Sequence, residues 1–333
     1  MKKQLISIVL FVLLFSIIIP LYLFAQNGVN LKNNDKIYHR PNRSTRIFIP
    51  RFDSLFLFNK YKESIVYNNN IINDTHSSLY KTNLGIYRIA TCYSKINNID
   101  SAYYYLNKYI VNSEDDRAIL VDKNFDTLRF YVDRWNEVKK NIENGFVKNI
   151  GVVKDTNLAI QLFYLGIEDQ KYRMILHVLD QYDTTDQVKE DTNNFSMQRT
   201  CIDIIEKYGI PTISMVGNFA SGQFFFILQH TELKVIEKYY PKVKKAWKKG
   251  DYDSIDYAML TDRLLMYKGK DQIYGTQIMM RTDHKKYPNK YILYPVKDFK
   301  NVNKRRKEMG FKETVEEYVK RHSGAFIPKE YYE

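Results

Sequence analysis

Between Ser221 and Gln277 the chain alternates apolar helical runs with short polar boxes, and this alternation constrains the fold more than any other stretch. Phe224-Phe225-Phe226-Ile227-Leu228 has no polar side, so a helix that carries it must be buried nearly all round. The run ends on two hydrogen-bonding side chains, Gln229-His230, and Ser221 is read as the cap that starts it. A second helix is expected from Glu232 to Lys249, bent near Pro241 and closed by Gly250. A third begins at Asp253 or Ser254, sends Ala258, Leu260, Leu264 and Leu265 to the core, carries Asp262-Arg263, and ends before Gly269. The period then changes from helical to alternating. Gln272, Tyr274 and Thr276 would share one face of a strand, with Ile273, Gly275 and Gln277 on the other. Tyr291 to Pro295 supplies a partner strand, giving a β-hairpin near 272–295, and helix returns from Val302 to His322.

Upstream of this stretch, a long helix is expected from about Asn157 to Asp183, with Leu158, Leu162, Leu165 and Ile167 apolar. Its polar box, Asp169-Gln170-Lys171-Tyr172-Arg173, places Asp169 and Arg173 four residues apart, on one face, where they can pair. Another helix from Asn194 to Lys207 stops at Gly209, with Pro211 just beyond. Gly145 and Gly151 interrupt the helical pattern between Asn144 and Asp155, which marks a domain boundary. Residues 155–323 therefore read as one helical domain with a β-hairpin.

The preceding region, 52–147, reads as helical and tetratricopeptide-like. Ala90 and Tyr93 fall on one helix, Asn97 to Asp100 makes a turn, and Ala102 and Leu106 fall on the next. This spacing resembles a single tetratricopeptide repeat, which cannot bury its own apolar face and must lean on neighbouring helices. A module of this kind binds protein, so a protein partner through the hairpin is the expectation. The Asn-rich stretch Asn68 to Asp74 reads as a break, and residues 26–51, polar and basic with Pro41 and Pro50, read as a linker. At the amino terminus, Lys2 and Lys3 precede an apolar run from Leu5 to Phe24 and then Ala25. That is the layout of an export signal over residues 1–25, with an uncleaved membrane anchor through residues 5–24 as the alternative. Either reading puts the bulk of the protein outside the cytoplasm: periplasmic, secreted, or anchored and facing outward.

Composition adds the fold class. With 28 Tyr and 19 Phe but only 13 Gly, aromatic-rich helical packing is favoured over a turn-rich sandwich, so the chain is expected to be mainly α. The net charge of +13 is spread along the chain, without an Arg-rich stripe or a nucleic-acid motif, and nucleic acid is not an expected partner. Cys92 and Cys201 read as two buried thiols, although a disulfide stays open. There is no paired-cysteine or His-Glu-x-x-His pattern, so no metal and no cofactor is expected.

Taken in order, Asp169-Gln170 with Arg173, Gly217, Gln229-His230, Asp262-Arg263, and Gln272 with Tyr274-Gly275-Thr276-Gln277 resemble the bacterial domain of unknown function 6624. The resemblance covers roughly residues 157–310 and implies a mostly helical domain with a short β element. It carries no established activity.

If the boxes converge, they supply a carboxylate (Asp169 or Asp262), the His230 imidazole, a guanidinium (Arg173 or Arg263), the Tyr274 phenol, the Thr276 hydroxyl and the amides of Gln170, Gln229 and Gln277. Such a set would hold a small polar or anionic ligand. One carboxylate orienting His230 as general base is also a hydrolase layout, with His230 and Asp262 as its catalytic residues. The first reading is therefore an exported binding or scaffold protein with a polar ligand pocket, and the alternative is an exported hydrolase using His230 with an Asp partner.

Overall fold

The structure, a computed structural model, describes residues 54–112, 116–178, 184–281, 286–287, 290–322 and 324–332. The expected export segment and the whole of the linker lie outside the described residues, and among those described no helix is long and apolar enough to cross a membrane. The fold is mainly helical with one small sheet near the carboxy end. The chain forms two compact units that part between Val152 and Val153.

In the amino-terminal unit, α1 (Ser54–Leu57) and α2 (Tyr61–Asn73) lead into the helical hairpin of α3 (Leu79–Lys95) and α4 (Ile99–Asn112). Ala90 and Ala102 are both fully buried, as close helix approach requires, and Tyr93 stacks on Tyr105 with ring centroids 5.6 Å apart. The chain reverses at Asn97 in the left-handed region, which asparagine tolerates. The Asn-rich stretch is not a break. Helix α2 runs through it because buried Asn68 donates back to the Ser64 carbonyl at 2.8 Å, staying inside the helix. After α5 (Arg117–Val121) and α6 (Asp126–Arg129), the long helix α7 (Val132–Ile150) buries Trp135, Val138, Ile142 and Phe146 at helical spacing and keeps Gly145 in its interior. It ends instead at Gly151, where φ turns positive.

The carboxy-terminal unit is built on α8 (Thr156–Val178), α9 (Thr184–Tyr208), α10 (Ile213–Gln229), α11 (Leu233–Lys248) and α12 (Ser254–Tyr267). Helices α8 and α10 run side by side in the same direction, with α9 as the return between them. The Asp155 amide donates to the Met215 carbonyl at 2.9 Å near their starts, and Phe163 meets Phe219 farther along. Near the middle, Gly166 of α8 lies against Gln223 of α10. A Cβ on Gly166 would fall 2.1 Å from Gln223 Oε1, so the Gln223 side chain would have to move. Helix α10 starts well before Ser221 and breaks at Gly217, so Ser221 is a buried mid-helix residue and not a cap. Asp253 is the cap of α12, accepting from the amides of Ile255 and Asp256 at 2.9 and 3.0 Å.

The segment expected as a strand over 272–277 is an irregular turn. Only Gln272 makes a bridge, to Val296, and the antiparallel hairpin is formed by β1 (Ile278–Arg281) and β2 (Lys290–Leu293), with Ile278 opposite Leu293. The tail is two short helices, α13 (Val302–Glu308) and α14 (Val315–Lys320), parted around Gly310. A third strand, β3 (Ala325–Phe326), then adds parallel to β2. Leu293, Val302, Val315, Tyr318 and Val319 form the core beneath this sheet.

Candidate functional site

The polar boxes fold into two constellations with different characters. The first lies on the parallel seam of α8 and α10. Asp169 is one turn beyond Gly166 on α8, and His230 is two turns beyond Gln223 at the carboxy cap of α10, so the contact between Gly166 and Gln223 sets the register that brings them together. His230 Nδ1 lies 3.1 Å from Asp169 Oδ1 and 3.2 Å from Oδ2. Gln170 Nε2 donates to Asp169 Oδ2 at 2.7 Å. The Asp169 side chain is 1% exposed and that of His230 is 14% exposed, so the carboxylate is sealed behind an imidazole that reaches toward the surface.

Because an ionised carboxylate only accepts hydrogen bonds, Asp169 selects the form of His230 that carries a proton on Nδ1. In the neutral ring the lone pair then sits on Nε2. This is the arrangement of an oriented acid/base imidazole.

Cys201 of α9 is buried next to this pair. Burial, with the Asp169 charge adding to it, pushes the Cys201 thiol well above the usual range, so it is held as a neutral thiol and not as a nucleophile. Both cysteines are free, which answers the disulfide left open by the sequence. Arg173 lies on α8 one turn beyond Asp169 along the helix, and its side chain is outside the described residues. Gln229 is buried, and its Oε1 finds no hydrogen-bond partner among the described residues.

The second constellation is a clamp on the turn 272–277. Asp262 is fully buried, and five donations converge on its two oxygens. Oδ1 accepts from the amide of Ile273 at 2.7 Å, and both oxygens accept from the amide of Tyr274 at 3.1 Å. Oδ2 also takes the amide and hydroxyl of Thr276 at 3.0 and 2.9 Å. Gln272 closes the far side, accepting from the Gln277 amide at 2.8 Å and donating to the carbonyls of Gln277 and Tyr294 at 3.0 and 2.7 Å. The turn's own carbonyls are met by Arg305 on Ile273 at 2.9 Å, Arg306 on Tyr274 at 2.9 Å and Tyr318 on Thr276 at 2.7 Å. Gly275 has φ of +65°, and a Cβ there would lie 2.7 Å from Val315 Cγ2. Burial pushes the Asp262 carboxyl up to about 6, against the pull of the donors that surround it.

This geometry corrects several expectations. The carboxylate that meets His230 is Asp169. Asp262 is spent on the turn, so it is a structural anchor and not a catalytic partner. Thr276 is buried with its hydroxyl on Asp262, and Gln277 is buried with its Nε2 on Thr276 Oγ1 at 3.0 Å, so neither is offered to a ligand. Arg263 is buried with its guanidinium carbon 5.8 Å from the centre of the Tyr267 ring. Tyr274 contributes mainly its backbone, and its half-buried phenol is pushed up by burial, with Tyr257 and Asp262 adding to the effect.

Arg305, Arg306 and Tyr318 are the clamp residues that periodicity gave no reason to single out. The only signal was two adjacent arginines at a helix that closes on the turn. Among the described residues, no group of three or more His, Cys, Asp or Glu side chains is placed to hold a metal ion.

Residues 165–329 match the family model DUF6624, a family of unknown function. The carboxy-terminal unit is a DUF6624 domain. The match begins inside α8 and runs past β3, so the DUF6624 domain takes in the clamp arginines, Tyr318 and the third strand, beyond the end at 310 read from the sequence. Both constellations fall inside it, and the helical unit ahead of Val152 falls outside. No curated protein and no solved structure matches the chain.

Proposed function

We propose that this is an exported protein whose DUF6624 domain carries a hydrolase-type acid/base site centred on His230. Asp169 orients the imidazole through Nδ1, and Nε2 is the nitrogen that takes a proton from water or a substrate hydroxyl and returns it to the leaving group. Gln170 holds the carboxylate in place. The observation that carries this reading is the contact of both Asp169 oxygens with one nitrogen of His230, at 3.1 and 3.2 Å.

An imidazole oriented by a buried carboxylate and itself partly exposed is the arrangement that general acid/base catalysis uses. Of the two readings open from the sequence, this one therefore stands first. Its substrate is small and polar, in keeping with the amides of Gln170 and Gln229 beside the pair. The test is a panel of ester, amide, glycoside and phosphoester substrates, offered to the wild type and to His230→Gln. Hydrolysis of one class by the wild type, lost by about 10²–10⁴-fold in a variant that melts cooperatively, is the expected result. Equal turnover by His230→Gln would overturn the reading.

The helical unit supports a second role as a tetratricopeptide-like module for a protein partner. Tyr104 and Val111, two turns apart on one face of α4, are 63% and 84% exposed. Partner capture by the wild type, abolished by Tyr104→Glu with Val111→Glu, tests it. Capture that survives both changes would remove it.

A further inference from the structure

We propose that the lysine face of α11 is a docking surface for an anionic phospholipid bilayer. Helix α11 buries Val235, Ile236, Tyr239, Val243 and Ala246. Along the flank of this buried side, Lys234, Lys238, Lys242, Lys245 and the cap residue Lys249 follow at steps of four, four, three and four residues, which puts all five on one stripe. Lys244 and Lys248 flank it, and all seven are exposed. Seven of the sixteen residues from Lys234 to Lys249 are lysine, and forming the helix lines five of them up along one stripe.

Helix stability does not account for the stripe. Lys245 and Lys248 complement the carboxy end of the helix dipole, but Lys234 stands in the first turn, where a cation is unfavourable and where no acidic residue is present. The pairs Lys234 and Lys238, Lys238 and Lys242, and Lys245 and Lys249 are like charges at four-residue spacing, which destabilises a helix. Compensation is local: Lys238 pairs with Glu206 at 3.0 Å, and Glu237 is taken by Lys268 at 2.5 Å.

The chemistry of the stripe selects its partner. Its cations are lysines, point charges without the planar fork of arginine, so they suit a diffuse array of phosphates and not a read-out of individual groups. The aromatic Tyr239 is buried, with the Lys238 and Lys242 ammonium groups 4.7 and 5.3 Å from its ring centre, so the stripe offers no exposed platform for stacking bases. A rod of lysines lying flat on anionic lipid headgroups fits both facts. A bilayer is also the surface that the expected export or anchoring segment at residues 5–24 would place beside the protein; the vesicle test below does not depend on that reading.

The test is co-flotation of the full chain with vesicles of phosphatidylglycerol in phosphatidylcholine, against vesicles of phosphatidylcholine alone. Three proteins are compared: the wild type, a stripe variant (Lys234→Gln, Lys242→Gln, Lys245→Gln, Lys249→Gln), and a control variant with the same loss of charge (Lys62→Gln, Lys123→Gln, Lys139→Gln, Lys140→Gln). The expected result is a preference for anionic vesicles that salt abolishes, that falls by about two orders of magnitude in the stripe variant, and that survives in the control variant. The stripe variant should melt at or above the wild type, because repulsion along the helix is relieved. Equal losses in the two variants would show a net-charge effect and overturn the proposal. So would binding to polynucleotide with none to anionic vesicles.

Discussion

Asp169 meets His230 through both of its carboxylate oxygens, at 3.1 and 3.2 Å from Nδ1, across 61 residues of intervening chain. The pair joins two helices that run in the same direction, and a glycine one turn away on α8 keeps the approach close enough for the contact to form.

Asp169→Asn should cost activity or ligand affinity far more than its small change in volume suggests. The amide can present an N–H to the imidazole, which favours the opposite tautomer and moves the lone pair from Nε2 to Nδ1. A loss of about 10²–10⁴-fold in turnover is expected. Stability should also fall by about 3 kcal/mol, because a buried partner is left poorly satisfied. Turnover and urea denaturation measured on one preparation check both, and unchanged turnover would count against an oriented imidazole.

Asp262→Asn should instead be a folding mutation. The fully buried carboxylate accepts from three backbone amides and a hydroxyl of one turn, and an Asn NH2 would face donors with another donor. A loss of about 3 kcal/mol is expected, with the hairpin that follows the turn losing amide protection first. Hydrogen exchange followed by mass spectrometry reads this directly.

The same carboxyl gives stability a defined pH dependence. An unfolded aspartate releases its proton near its ordinary value of 3.8, whereas burial holds the Asp262 proton up to about 6. Between these values the folded state binds one more proton than the unfolded state, so the contribution of Asp262 falls as pH rises. It is fully present below about 3.8, is lost as pH rises through about 6, and is flat above. Unfolding free energies across this window should therefore decline more steeply for the wild type than for Asp262→Asn. Parallel curves would contradict the sign.

Gly275→Ala combines a disfavoured backbone conformation with a contact, since its Cβ would lie 2.7 Å from Val315 Cγ2 and its φ is +65°. A destabilisation of about 1–3 kcal/mol is expected. Adding Val315→Ala removes the contact but not the backbone strain, so it should recover part of the loss attributed to crowding. A double-mutant cycle with no coupling would show that the contact is not felt.

How legible this was in the sequence depends on the range of the interaction concerned. The helices carrying Leu158, Phe224 and Leu264 follow from apolar spacing, and the Asp253 cap and the stop before Gly269 follow from local chemistry. The residues at 272–277 alternate as those of a strand do. What decides against a strand is Asp262, ten residues before its first member, which gathers the amides to one point, and Gly275, which turns the chain left-handed. Asp169 and Asp262 look equivalent in sequence, each an acid next to a polar residue in a helical box. Only the parallel packing of α8 and α10 decides which one reaches His230. Ser221 misled for a similar reason: the break at Gly217 lets the helix start earlier than the nearest capping residue suggests.

In the proposed acid/base site, Asp169 holds the proton on Nδ1 of His230 and leaves Nε2 to exchange protons. Nitrogen-15 spectra of histidine-labelled protein, recorded through a pH titration and assigned with His230→Gln, test it most directly. The prediction is that Nδ1 stays protonated throughout, that Nε2 is the nitrogen that titrates, and that Asp169→Asn abolishes this preference. If Nδ1 is the nitrogen that loses its proton, or if the spectrum of His230 ignores Asp169→Asn, the acid/base account fails.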